Sequence, residues 1–166
     1  MTEKELLEIL RGTGFLHGFA EDHLEKLAQF ARLVAMPEGQ VVFREGEPTA
    51  NIYLVVSGNI SLEICSPGIG CRRILTVGDG ELLGLSPVLE QVRLTSTART
   101  LTPVEMIEIN AGQIVAMCEH DPRFGYIFMR RFALALAKRL NATRIQLLDV
   151  FGEVMPSVDH PEASGA

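Results

Sequence analysis

The apolar positions of this chain change period twice, and the changes divide it into a helical start, a β-rich middle and a helical end. Thr2 followed by Glu5 makes a reciprocal capping pair, which predicts a short helix carrying Leu6, Leu7, Ile9 and Leu10. Gly12, Gly14 and Gly18 interrupt it. A second helix is predicted beyond them, with Leu24, Leu27, Phe30, Ala31 and Val34 on one stripe at helical spacing. From Met36 the period shortens. Pro37-Glu38-Gly39, Glu45-Gly46-Glu47-Pro48, Ser57-Gly58-Asn59 and Gly78-Asp79-Gly80 are turn sequences. Between them lie apolar residues 41–43, a continuous apolar run at 52–56, the alternating run Ile60-Ser61-Leu62-Glu63-Ile64, and residues 73–77. Two more strands are predicted over 95–100 and 105–109, the second reached through Pro103. Short strands with turns about every 8–12 residues predict a sandwich, roll or barrel.

Helical spacing then returns. Asn110 is placed to cap residues 111–118, and 122–150 contains no internal proline, with Gly125 its one weak position. Phe124, Phe128, Phe132, Leu136 and Leu140 fall on one face of that long helix. Ile127, Leu134, Ile145 and Leu148 lie partly off it. A helix apolar on more than one side must bury both. One side is expected to cover the roll and the other a partner helix, so a homodimer through 122–150 is predicted. The tail, 152–166, with Pro156, Pro161, Ser164 and Gly165, is expected to be disordered, leaving 1–151 as the folded domain.

Composition narrows the class. The chain has 166 residues, which suits one domain, and 47% hydrophobic against 22% charged residues allow it a core of its own. No apolar run approaches the ~20 residues needed to cross a bilayer, and the charged start Met1-Thr2-Glu3-Lys4-Glu5 has no leader pattern. A cytoplasmic protein with no membrane partner is the expectation. A net charge of −6 argues against a nucleic-acid surface. The basic residues Arg123, Arg130, Arg131, Lys138, Arg139 and Arg144 of the last helix are read as a solvated face.

Candidate chemistry is sparse. Cys65 and Cys71 bracket a turn and would face each other across a hairpin. In a reducing compartment they are expected to be small strand residues rather than a disulfide. A zinc or iron–sulfur site needs more thiolates or nearby histidines. His17, His23, His120 and His160 fall on no predicted strand, so neither a metal, a cofactor nor an enzymatic centre of cupin type is expected.

The order of Pro37-Glu38-Gly39, Glu45-Gly46-Glu47, Tyr53-Leu54-Val55 ending at Gly58, Gly78-Asp79-Gly80, Leu83-Gly84 and the stretch from Ala98 to Pro103 resembles the cyclic nucleotide-binding domain family. That family includes the sensor domain of catabolite activator-type regulators. The resemblance covers roughly residues 5 to 150 and implies an α+β fold: an antiparallel, jelly-roll-like β-roll flanked by N-terminal helices and a long C-terminal helix. Within it, Gly84-Leu85-Ser86-Pro87-Val88-Leu89 resembles the family's phosphate-binding cassette. Serine before proline is a favoured helix start, and its free backbone N–H groups suit an anion. The resemblance marks Gly84, Leu85, Ser86, Arg93, Thr95 and Ser96 as candidate ligand residues, for a small anionic ligand of cyclic-nucleotide type.

The cassette departs from the family in two places. Leu85 stands where ligand-binding members carry a glutamate for the ribose. Counted from Gly84, Arg93 falls short of the phosphate-pairing arginine position, while counting back from Pro103 puts Leu94 there. Losing a buried guanidinium partner costs about 1.5–3 kcal/mol. Transcription regulators of the family carry a helix-turn-helix after the long helix; only a short tail follows Phe151, so direct DNA binding is not expected. Two readings stand. One is a ligand-responsive regulatory module that signals through its last helix. The other is a ligand-independent dimerisation or adaptor module. Both leave room for a regulatory partner protein.

Overall fold

A computed structural model describes residues 1–89 and 93–151; the tail expected at 152–166 lies outside them. The Thr2–Glu5 capping pair is formed, and it starts α1 (Glu3–Gly12). A one-turn 3₁₀ helix (Gly14–Leu16) leads to α2 (Glu21–Ala28). Eight strands follow: β1 (Ala31–Met36), β2 (Val41–Phe43), β3 (Asn51–Ser57), β4 (Ile60–Ser66), β5 (Gly70–Val77), β6 (Leu82–Leu83), β7 (Thr97–Thr100) and β8 (Val104–Asn110). The chain closes with α3 (Ala111–His120) and α4 (Pro122–Phe151).

The strands form two antiparallel four-stranded sheets, ordered β1-β8-β3-β6 and β2-β7-β4-β5. The first sheet is covered on both sides, which explains the unbroken apolar run in β3. Ile52 and Leu54 join the core under the helices, while Val55 joins the core between the sheets. In β4, Ile60 and Leu62 point into the inter-sheet core, and Ser61, Glu63 and Cys65 take the opposite face.

Three expectations are corrected. The second helix ends at Ala28, and Ala31 and Val34 lie in β1, paired with Ile109 and Met106 of β8. Pairing the otherwise open edge of β8 outweighs a helical spacing of a few residues. In α4, Leu140 leaves the packed face and is 62% exposed, while Ile127 is half-buried against the helical core. Third, Cys65 and Cys71 are disulfide-bonded. They are directly opposed in the β4–β5 register, so both side chains project from the same face at the same level.

The joint between α3 and α4 sets where the long helix runs. Asp121 accepts from the backbone N–H of Arg123 (3.1 Å) and Phe124 (3.4 Å), capping α4 with Pro122 at its first position. The other Asp121 oxygen lies 2.8 Å from Nε2 of the buried His23 on α2. The His23 hydrogen bond holds the Asp121 carboxyl below its usual range. Gly125 is required here for space: a Cβ on it would sit 2.7 Å from the Cys118 carbonyl oxygen, so only glycine lets the two helices approach this closely. Phe124, Phe128 and Phe132 then stack in sequence, with ring centroids 5.6 and 6.2 Å apart, against Phe15 and Phe19.

Candidate functional site

β6 ends at Leu83, and Gly84 turns the chain with φ +76°, a conformation that strains any residue with a Cβ. The predicted helix start is there, but as a single 3₁₀ turn, Ser86–Leu89, rather than an α-helix. This turn, the segment Leu94–Ser96 leading into β7, β2, the β4–β5 hairpin and α4 enclose a cavity of about 430 Å³.

Its walls are mostly apolar: Phe43, Leu62, Ile64, Ile74, Leu75, Leu85, Leu89, Leu94 and Leu136. Ile74 is the extra residue where the β4–β5 register slips, and Leu75 follows it. The polar lining consists of Ser86, Thr95, Ser96, Thr143 and Arg139. No carboxylate is among the described residues that line it. Five of the six expected ligand residues, Gly84, Leu85, Ser86, Thr95 and Ser96, are thus brought together on one cavity wall.

Arg93 is not with them. It is exposed, and its guanidinium donates to the Gly46 carbonyl at 2.7 Å. The backbone explains its direction. Arg93 pairs with Pro48 in an isolated bridge, the Gly46 amide donates to the Leu94 carbonyl (2.8 Å), and the Leu94 amide donates to the Glu47 carbonyl (3.0 Å). Clamped in this way, the alternating segment sends Leu94 inward, where it is 5% exposed, and Arg93 outward. Of the two alignments open in the sequence, the coordinates match the one that puts Leu94 at the inward position.

The basic residue lining the cavity is Arg139 of α4, which corrects its reading as part of a solvated face: it is half-buried here. Burial lowers its pKa to about 10, with Glu81 acting the other way, so it stays cationic at neutral pH. Next to it, Lys138 pairs with Glu81, a half-buried carboxylate that also accepts from the Gly78 amide at 2.8 Å. Glu81 therefore serves the β5–β6 turn and its tie to α4, outside the lining of the cassette cavity. Only placement in space brings Arg139 to the cassette; the clue in sequence was a cation on an apolar stretch of helix.

The sequence model described as the cyclic nucleotide-binding domain matches residues 33–121, more than half of the chain. The chain belongs to the cyclic nucleotide-binding domain family. Over 150 residues, 90% of this chain, it is 27% identical to a protein of Mycobacterium tuberculosis described as a CRP-like cAMP-activated global transcriptional regulator. It is 23% identical over 138 residues to the cyclic AMP receptor protein of Thermus thermophilus. The domain spans 65% and 62% of the lengths of those two relatives. In fold it is similar to a cyclic nucleotide-binding domain from Methylobacillus flagellatus KT, with a TM-score of 0.75 at 17% identity over 95% of this chain and 86% of that one. It is also similar to the Thermus thermophilus catabolite activator protein, with a TM-score of 0.66 at 23% identity over 84% and 63%. The α+β roll with its long C-terminal helix is thus the fold of the family. Among the described residues no helix is long and apolar enough to cross a membrane.

Proposed function

We propose that this domain is a regulatory module that binds a small anionic ligand of nucleotide type in the cassette cavity, between the Gly84–Leu89 turn and α4. The observation that carries this reading is Arg139: the one basic residue in the described lining of a mostly apolar cavity, which Ser86, Thr95 and Ser96 also line and which no described carboxylate enters. An apolar volume suits the flat body of a base, and a cation with nearby hydroxyls suits a phosphate. Leu85 in the ribose-acceptor position and Leu94 in the arginine position make the cavity drier than the family pattern implies, so a ligand with fewer exposed sugar hydroxyls than cAMP fits it better.

The coupling follows from where the cation sits. In the family pattern the phosphate arginine belongs to the cassette; here the corresponding charge rides on α4. A ligand held by Arg139 and the turn hydroxyls pulls the second half of α4 onto the roll, and its departure releases that half. Leu134, Leu140, Ile145 and Leu148 on the same half provide the surface for a second copy, so ligand and dimer geometry are read through one helix.

Calorimetric titration with cAMP, cGMP and a set of other nucleotides tests the reading. One nucleotide should bind, Arg139→Ala should weaken it about ten- to hundredfold, and Arg93→Ala should leave it unchanged. Titrations flat at millimolar concentration for every nucleotide would instead favour the second reading, a ligand-independent dimerisation module. Burial of Leu85 and Leu94 at the two polar cassette positions is the observation on that side.

A further inference from the structure

On the outer face of the second sheet, opposite the face that lines the cassette cavity, β4 and β5 bring together a different set of groups. Cys65 and Cys71 are directly opposed in the ladder, and Glu63 lies two positions before Cys65 on the same face. The two sulfurs and a Glu63 carboxylate oxygen all lie within 4.8 Å of one another, the one such group among the described residues. The Glu63 side chain is only 13% exposed; it accepts from the Ser61 hydroxyl at 3.3 Å and pairs with Arg99 Nε at 3.6 Å. Arg73 stands opposite Glu63 in the ladder and donates to the Ser61 hydroxyl at 3.1 Å, so two guanidinium groups flank this carboxylate and would offset the negative charge of a site with two thiolates. Next to it, Glu45 accepts from the Cys65 amide at 3.3 Å, so a second carboxylate adjoins the same cysteine. A surface cavity of about 420 Å³, lined by Arg44, Glu45, Cys65, Cys71, Thr97 and Arg99, opens onto the pair.

We propose that Cys65, Cys71 and Glu63 form a binding site for a thiophilic divalent cation of the zinc class, available when the disulfide is reduced. Reduction takes two electrons and two protons from a dithiol reductant, which itself becomes a disulfide. The S–S bond breaks and each sulfur leaves as a thiol. On binding, each thiol releases its proton to solvent as a sulfur–metal bond forms. Donors on tetrahedral zinc at about 2.3 Å lie roughly 3.8 Å from one another, which the present spacing accommodates with small side-chain rotations. Glu45 or water takes the fourth position. The sulfurs bond to each other or to the cation, so the hairpin has two mutually exclusive closed states. The third cysteine does not compete, because burial pushes the Cys118 thiol up to about 11, where little thiolate exists at neutral pH.

The test is zinc titration of the full chain against a chromogenic chelator, after phosphine reduction and anaerobic desalting, beside the oxidised protein. The expected result is one zinc per chain that only the reduced form takes up. Cys71→Ser should abolish it, and Glu63→Gln, with both thiols intact, should weaken it at least about tenfold. Cobalt added to the reduced, unmutated chain should show a thiolate-to-cobalt charge-transfer band, a readout independent of whether any variant folds. Equal uptake by reduced and oxidised chains, uptake that survives Cys71→Ser, Glu63→Gln binding as tightly as the parent, or cobalt without the thiolate band would each overturn the site. None of these outcomes bears on nucleotide binding.

Discussion

From Phe124 to Phe132, α4 lays three rings on the core, each 3% exposed or less, whereas Leu134, Leu140, Ile145 and Leu148 of its later half are 51–62% exposed. The first half is fastened at several points: Asp121 caps it, His23 holds the cap, Gly125 lets α3 close against it, and the Phe15 and Phe19 rings meet the phenylalanine ladder. The second half is fastened at few points, among them Lys138 to Glu81, and it carries the cavity arginine. The contrast teaches how one continuous helix can be anchor and lever. Packing energy is concentrated in the first half, and under the proposed function Arg139 of the second half is where a bound ligand would be felt.

The contrast can be broken most forcefully in the anchor. Phe128→Ala should cost about 3–5 kcal/mol of unfolding free energy, while Leu140→Ala should stay within about 0.5 kcal/mol, both read from urea denaturation. Similar losses from the two substitutions would erase the distinction between the halves. Gly125→Ala comes next at about 1–3 kcal/mol, because the new methyl meets backbone of α3 that no rotamer change can move aside. In the lever, Leu134→Glu combined with Leu148→Glu should leave the denaturation midpoint nearly unchanged and turn a dimer into a monomer in sedimentation equilibrium. A parent chain that is monomeric at high concentration would remove the partner helix from the account.

The smallest effect is one of pH. The carboxyl of Asp121 is depressed in the folded state, chiefly by the His23 hydrogen bond. Its contribution is therefore fully present above the ordinary value near 3.8 and fades as pH falls through the lower folded value. Asp121→Asn, which can still cap the helix, should flatten the acid side of the stability–pH curve and change little near neutrality. An unchanged acid slope would show that the clasp carries no charge-dependent stability.

Much of this architecture was legible without coordinates, and for local reasons. A capping pair, turn glycines, an alternating strand and proline at a helix start each act within a few residues, so α1, β3, β4, α3 and the length of α4 could be read directly. The bend at Gly84 and the gathering of Leu85, Ser86, Thr95 and Ser96 followed from the same family pattern. What went astray depended on partners distant in the chain. Residues 31–36 became a strand because β8 needed a neighbour. Leu140 was exposed because the ladder of rings ends at Phe132. Cys65 and Cys71 face each other across the hairpin as expected, but they are bonded, where free thiols were expected.

The cassette shows the division most sharply. Sequence determined that a glycine-hinged turn resembling the family's cassette would follow β6 and that its two polar family positions were open to question. Only the tertiary structure decided that Leu94 faces in, that Arg93 faces out to Gly46, and that Arg139 reaches the cavity from α4. The physical reason is that a strand's inward face is chosen by the pairing clamped on it, and a helix's contribution to a distant pocket by the packing of its far end. Neither is encoded in the residues nearby.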